Sequence, residues 1–230
     1  TRSITKDEKH NGRADIVDRN GVLMATSLST ASLFANPRLV LDPEQAALKL
    51  ATALPDIDVK VIEKKLRSNR GFVWLKRHLT PRQQYAVNRL GIPALNFQRE
   101  ARRMYPMGSL AAHALGFTDI DNKGLTGIER YFDKELRTRQ DNMALSIDVR
   151  VQHVLEHELG VAMKKFSAIG AAGLVMDVTT GEVVAMSSLP SFDPNQPNAI
   201  AQDLRFNRTT LGVYEMGSTF KIFTTAMALD

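Results

Sequence analysis

Apolar positions change their spacing several times along this chain, and the changes mark its elements. Residues 14–17 and 22–25 are short strand-like apolar runs around Asp18-Arg19-Asn20-Gly21, which predicts two strands joined by a turn. Residues 32–35 predict a further strand, closed by Asn36-Pro37. Asp42-Pro43 then reads as an N-cap with proline at the first helical position, opening a helix over 44–54 that Pro55 stops. Asp58 caps a second helix with Val59, Ile62 and Leu66 on one side. Residues 72–79 read as a strand, Thr80-Pro81 opens a third helix, and Gly91 ends it. Leu95–Met104 is extended and rich in arginine.

Residues 110–115 form a short apolar helical run ended by Gly116-Phe117, and an amphipathic segment runs through Tyr131, Phe132 and Leu136. Residues 137–142 are a polar break, which places a domain boundary there and divides the chain into 1–137 and 138–230. Residues 145–148 predict a short strand ending in an N-cap. The helix Val149–Phe166 carries Val151, Val154, Leu155, Leu159, Ala162 and Met163 at helical spacing. Residues 171–178 and 182–188 flank Thr179-Thr180-Gly181 as a hairpin with a left-handed turn glycine. Pro190, Pro194 and Pro197 mark an irregular loop. The last element is a helix whose Ile222, Phe223, Ala226, Met227 and Leu229 predict burial. The fold class is therefore α+β, with a small N-terminal region ahead of a helix–hairpin–helix unit.

Composition narrows the function classes. The 230 residues suit one large or two small domains, and no stretch approaches the apolar span of a membrane helix. Zero cysteines exclude disulfides and thiolate metal sites. The net charge of +5 is spread among carboxylates with no basic stripe carrying aromatics, so nucleic acid is not expected as a partner. The five histidines lack metal-ligand spacing. His153 and His157 sit one turn apart without the zincin glutamate, and a solvated helix face is expected for them. No metal and no cofactor is implied.

Candidate chemistry is concentrated in Tyr214-Glu215-Met216-Gly217-Ser218-Thr219-Phe220-Lys221. Ser218 and Lys221 are three positions apart, so a helix opening here puts both on one face. Gly217 supplies a tight turn, and free N–H groups at a helix start favour developing negative charge. A serine hydroxyl needs a base within hydrogen-bond reach. A lysine can act as that base when burial or nearby cations lower its proton affinity. Ser3-Ile4-Thr5-Lys6 fits the same spacing without an apolar helix behind it, and no chemistry is expected there. Arg103 and Glu129 read either as a structural ion pair between distant segments or as two unrelated surface charges.

Taken together in order, these residues identify a resemblance. Arg13-Ala14-Asp15-Ile16-Val17-Asp18-Arg19-Asn20-Gly21 comes first, followed by Arg103, Tyr105-Pro106, Gly108, Ala112-His113, Gly116-Phe117, Gly124, Gly127 and Glu129. Leu145-Ser146-Ile147-Asp148, Gln152, Val175-Met176-Asp177, Thr180-Gly181-Glu182, Pro190 through Asn195, and Asn207-Arg208 follow, ahead of Ser218-Thr219-Phe220-Lys221. The chain resembles a class B penicillin-binding protein, most like the division-specific (FtsI-type) peptidoglycan D,D-transpeptidases. The resemblance implies a non-catalytic pedestal, or dimerisation-type, domain with Arg103, Glu129, Gly108 and Gly127 as structural residues. It implies after that the first part of a transpeptidase domain of the serine β-lactamase-like fold.

By that resemblance Ser218 attacks the carbonyl of a D-Ala-D-Ala stem peptide, Lys221 accepts its proton, and the Ser218 backbone N–H forms part of the oxyanion hole. The acyl-enzyme passes to an amine on a neighbouring stem peptide, and β-lactam antibiotics acylate the same serine. The partners implied are stem peptides, a septal glycosyltransferase and other membrane division proteins. The location implied is the periplasmic side of a bacterial inner membrane, reached through an N-terminal anchoring helix not present in this chain.

Three features depart from the family pattern. Met216 stands where proline is common, which predicts a looser turn. Residues 137–142 are shorter than the corresponding stretch in many relatives. The family's later Ser-x-Asn and Lys-(Ser/Thr)-Gly motifs do not occur in these residues, so the chain is expected to be an N-terminal portion, inactive alone. A second reading is a pedestal that docks division-complex partners without chemistry. A third is a serine β-lactamase or β-lactam sensor, which leaves the Arg103-to-Glu129 block unexplained.

Overall fold

The computed structural model describes residues 12–230. The Ser3–Lys6 spacing lies outside the described residues. Strand β1 (Ile16–Val17) turns back through 18–21 into β2 (Leu23–Ala35). Asp18 makes that turn: its Oδ1 accepts the N–H groups of Asn20 and Val22, both at 2.8 Å, and Gly21 takes φ +83°. The two strands expected at 22–25 and 32–35 are one strand of 13 residues. The polar stretch between them carries no alternation signal. A partner strand supplies its backbone hydrogen bonds from Thr26 to Ala35, and this tertiary pairing outweighs local pattern.

Helix α1 (Pro43–Ala53) starts where the Asp42 carboxylate accepts the Gln45 N–H at 2.9 Å, and α2 (Val59–Leu66) starts at Asp58 in the same way. After β3 (Val73–Leu79), α3 (Pro81–Asn88) opens with a reciprocal capping box between Thr80 and Gln83. Strand β4 (Leu95–Met104) pairs with β2 along ten residues, and β3 pairs antiparallel on the other edge of β2. The three helices close one face of this sheet around Leu33, Leu50, Leu54, Ile62, Leu66 and Leu79. Burying each such side chain contributes about 1.5–3 kcal/mol.

The other end of β2 belongs to a second core. Helix α4 (Ala112–Leu115) is followed by α5 (Gly127–Tyr131) and α6 (Asp133–Thr138), so the amphipathic segment is two short helices interrupted at Phe132. Strand β5 (Met143–Ala144) pairs parallel with β1. It lies beyond the polar break, so the first sheet continues past the expected boundary. Residues 145–148 are extended but form no strand of their own. They bridge two units: Leu145 donates to Val17 O at 2.9 Å, and Asp148 donates to Val184 O at 2.9 Å. Ile16, Met24, Leu115, Leu136, Met143 and Ile147 fill this core together with Phe192 and Ile200 from the proline loop.

Helix α7 (Val149–Phe166) then packs on the hairpin of β6 (Ala171–Met176) and β7 (Val183–Leu189). Leu155 and Leu159 lie against Gly173, where a Cβ would sit 2.9–3.0 Å from their methyl groups, so glycine sets the helix-to-strand spacing. Of the expected apolar positions on α7, Val154 is exposed and the others are half-buried. Helix α8 (Lys221–Leu229) ends the chain, and Ile222, Met227 and Leu229 are 66%, 81% and 84% exposed. Its apolar pattern predicts burial, and burial does not occur within these residues. The hairpin carries two strands only, and no described element lies across the apolar face of α8.

Candidate active site

Ser218 lies in a 3-10 turn, Gly217–Phe220, that runs directly into α8. Gly217 takes φ +53°, a left-handed conformation that costs a residue with a Cβ roughly 1–2 kcal/mol. Thr219 N–H donates to Met216 O at 3.1 Å, and Lys221 N–H donates to the carbonyls of Ser218 and Thr219. Side chains three apart eclipse on a 3-10 turn, so Ser218 and Lys221 lie on the same side. Among the described residues neither the Ser218 hydroxyl nor the Lys221 amine makes a hydrogen bond, and both residues are exposed. The fold brings the two onto one face but not into contact. The burial that general-base chemistry asks of a lysine is not provided by these residues.

The chain that leads to this turn is held from the β7 end. Ser188 Oγ accepts the Arg208 N–H at 2.9 Å, and Thr209 Oγ1 lies 2.7 Å from its own turn's Asn207 Oδ1. Behind them Gln152, fully buried on α7, matches its amide to one residue of β7. Its Oε1 accepts from Met186 N–H at 2.9 Å, and its Nε2 donates to Met186 O at 2.9 Å. The same Nε2 also reaches Glu156 Oε1 at 2.9 Å, which in turn accepts the Ala111 N–H at 2.8 Å. One chain of hydrogen bonds thus runs from α4 through α7 to β7. The sequence singles out Gln152 only as part of a pattern. Nothing in it points to Glu156, because the partners of Glu156 are 45 residues away or on its own helix.

The structural residues meet far from Ser218, in the second core. Glu129 is 0% exposed on α5, and Arg13 and Arg103 are 4% and 5% exposed. Arg103 Nε lies 2.6 Å from Glu129 Oε1, and Arg13 Nε lies 2.7 Å from Glu129 Oε2. Arg13 also donates to Glu129 O at 2.7 Å and Asn122 O at 2.9 Å and pairs with Asp133, while Arg103 donates to Ala14 O at 2.9 Å. The Arg103–Glu129 alternative is thereby decided: the two are a buried ion pair, with Arg13 as a third member. Burial, and then the Glu129 charge, push the nearby Tyr105 phenol up from its ordinary value.

Gly127 and Gly108 both take φ +58°, for different reasons. A Cβ on Gly127 would lie 2.6 Å from Ala114 O and Gly116 N, so the backbones of α4 and α5 touch there. Gly108 has open space around it and needs glycine for its conformation alone. His153 and His157 are exposed, as a solvated helix face requires.

Known proteins share this arrangement. Residues 8–160 match the family model described as "Penicillin-binding Protein dimerisation domain", and residues 171–230 match "Penicillin binding protein transpeptidase domain". The chain is 44% identical over 223 residues to "Probable peptidoglycan D,D-transpeptidase FtsI" of Caulobacter vibrioides, covering 95% of this chain and 38% of that protein. It is 32% identical over 261 residues to "Peptidoglycan D,D-transpeptidase FtsI" of Escherichia coli K12, covering 100% of this chain and 44% of that protein. Among solved structures, penicillin-binding protein 2 in its complex with MreC from Helicobacter pylori superposes with a TM-score of 0.73 at 21% identity. That alignment covers 95% of this chain and 51% of the other. The chain thus spans well under half the length of these two curated relatives. With its N-terminal match extending over more than half of its residues, the chain belongs to the penicillin-binding protein dimerisation-domain family, with the beginning of a transpeptidase domain attached.

Proposed function

We propose that the protein carrying this chain is a serine D,D-transpeptidase that cross-links peptidoglycan stem peptides during septal wall synthesis. The observation that carries the reading is the side-by-side placement of Ser218 and Lys221 on a glycine-led turn at the head of an apolar helix. In this reading Ser218 Oγ attacks the penultimate D-Ala carbonyl and Lys221 accepts its proton. The Ser218 N–H supports the oxyanion, and D-Ala leaves. The amine of a second stem peptide then attacks the ester, forming the cross-link and releasing Ser218. The pair becomes competent once further transpeptidase residues cover the exposed face of α8, which excludes water and changes the lysine's environment. β-Lactams present a strained amide to the same hydroxyl.

The proposal includes a location at the periplasmic side of the inner membrane. No helix among the described residues is long and apolar enough to cross a membrane. The domain boundary is proposed at the polar break, between 137 and 138, with β5 beyond it pairing back to β1. Incubating the gene product that contains these residues with a D-Ala-D-Ala pentapeptide and an acceptor peptide tests the activity. Released D-Ala together with a cross-linked dimer in the mass spectrum is expected. Neither product forming would contradict the reading.

A second reading is favoured by one observation: the two hydrophobic cores are closed, whereas the apolar residues of β6 and α8 stay open. As a unit by itself this chain acts as a pedestal that docks membrane division proteins, among them a septal glycosyltransferase. Limited proteolysis that removes residues beyond about 140 and spares the rest would support it. Equal digestion of both parts would count against it.

A further inference from the structure

A cavity of about 700 Å³ opens between β3, the 117–122 loop and the 194–198 loop, and Ser218 is not among its lining residues. Its walls carry five cations, Lys76, Arg77, Arg102, Arg103 and Arg205, and two carboxylates, Asp56 and Asp119. The cations are not equally committed. Lys76 pairs with Asp56, and Arg77 is held by Glu100 and Asp121, each at 2.7 Å. Asp119 is taken up by its own turn, accepting the N–H groups of Asp121 at 2.9 Å and Lys123 at 2.8 Å. Arg103 belongs to the Glu129 pair, yet its Nη2 is buried without a hydrogen-bond partner.

Arg102 and Arg205 remain. Among the described residues neither has a carboxylate within ion-pair distance. Arg205 lies over the Phe117 ring at 5.8 Å and bonds only the Ile200 carbonyl, at 3.2 Å. Burial first, and then the Arg77 guanidinium, push the His78 imidazole below its ordinary value; Glu100 opposes them and Arg102 adds to them. Leu125 and Ile120, 39% and 53% exposed, give the cavity an apolar floor, and Asn198 sets an exposed amide at its rim. Uncompensated guanidiniums above an apolar floor suit a carboxylate joined to an aliphatic stem.

We propose that this cavity binds an acidic peptide segment of a partner protein, its carboxylates taken by Arg102 and Arg205 and its side-chain methylenes lying on Ile120 and Leu125. The inference rests on the docking reading and names the chemistry of what docks. It does not involve Ser218.

The test reads binding alone. A fluorescein-labelled hexaglutamate peptide is titrated with the purified protein and followed by anisotropy, beside a Gly-Ser peptide of equal length. Saturable binding of the acidic peptide, weakened by salt, is expected. Arg102→Gln with Arg205→Gln should weaken it by at least about tenfold without shifting the thermal melt. Should the double variant lose its cooperative melt, Arg102→Gln alone, which removes no ion pair, is read in its place. Absence of saturation, equal binding of the Gly-Ser peptide, or variant binding within about twofold of the parent overturns the site. Citrate displacing the peptide at equal carboxylate concentration overturns the peptide as ligand, leaving a small-anion site. Failure of partner docking with peptide binding intact would reject the docking reading while leaving the cavity's chemistry standing.

Discussion

Asn195 pairs its side-chain amide with the backbone of Tyr105, 90 residues earlier: Oδ1 accepts the Tyr105 N–H at 2.9 Å, and Nδ2 donates to the Tyr105 carbonyl at 3.0 Å. The amide behaves as a one-residue strand. It fixes the proline loop of the second unit to the end of β4, and Asp193 holds the amide in place through a 2.8 Å bond. Together with the Leu145–Val17 and Ala111–Glu156 bonds, it ties the two units through backbone groups of the first.

Asn195→Ala should therefore leave the Tyr105 N–H without a partner at a part-buried site, while the Tyr105 carbonyl keeps only the Gly108 N–H at 3.0 Å. A loss of about 1–3 kcal/mol is expected in urea unfolding. Asn195→Asp keeps one acceptor and should fall between. An unchanged midpoint for the alanine variant would mean that the pair does not contribute.

Glu129→Gln removes the only carboxylate shared by the two buried guanidiniums of Arg13 and Arg103. Breaking a buried pair from one side costs about 3–5 kcal/mol, because the remaining charge is left unbalanced. The variant should lose that much in chemical unfolding. Arg139→Gln, whose partner Asp141 is exposed, should leave the unfolding midpoint almost unchanged. Equal losses would mean that Glu129 does not hold the second core together.

The two glycines at φ +58° separate conformation from contact. Gly108→Ala should cost about 1–2 kcal/mol, the left-handed penalty alone. Gly127→Ala adds a Cβ 2.6 Å from the α4 backbone, and α4 and α5 must part to admit it. Its melting temperature should fall clearly below that of Gly108→Ala. The reverse order would contradict the close approach.

Acid should weaken the second core through Asp133. Burial alone would raise its carboxyl. The Gly124 N–H, the Arg13 guanidinium and Arg137 outweigh that and hold it down to about 2. A depressed folded value means the contribution is present above the unfolded carboxylate range and is lost as pH falls from about 4 toward 2. Asp133→Asn should flatten the pH dependence of unfolding in that window. An identical acid limb in both proteins would mean that Asp133 contributes nothing to it.

Much of this fold is legible in the sequence wherever one residue carries its own local mechanism. Asp42, Asp58 and Thr80 cap the helices that their positions predict, and Gly181 turns the hairpin at φ +75°. The continuous β2 strand is not legible, because residues 26–31 gain their conformation from β4 rather than from alternation. The exposure of α8 is not legible either: its apolar pattern describes a surface that packs, and the pattern cannot say whether the packing partner is among the same residues. Spacing, Gly217 and the apolar run behind them together single out Ser218 and Lys221, and the shared side of the turn follows from the spacing. Arg13, Glu156 and Asn195 acquire their roles only through contacts across 45 to 116 residues, for which spacing holds no signal.

The acyl-enzyme is the central claim, and it rests on one hydroxyl. The direct measurement is labelling of the gene product that contains these residues with a fluorescent penicillin, followed by peptide mapping of the adduct, in the parent and in Ser218→Ala. Ser218 makes no side-chain hydrogen bond among the described residues, so the variant should melt as the parent does. A penicilloyl group is expected on the peptide containing Ser218 in the parent, and none in the variant. A folded parent that takes no label, or a label that persists when Ser218 is alanine, would contradict the claim.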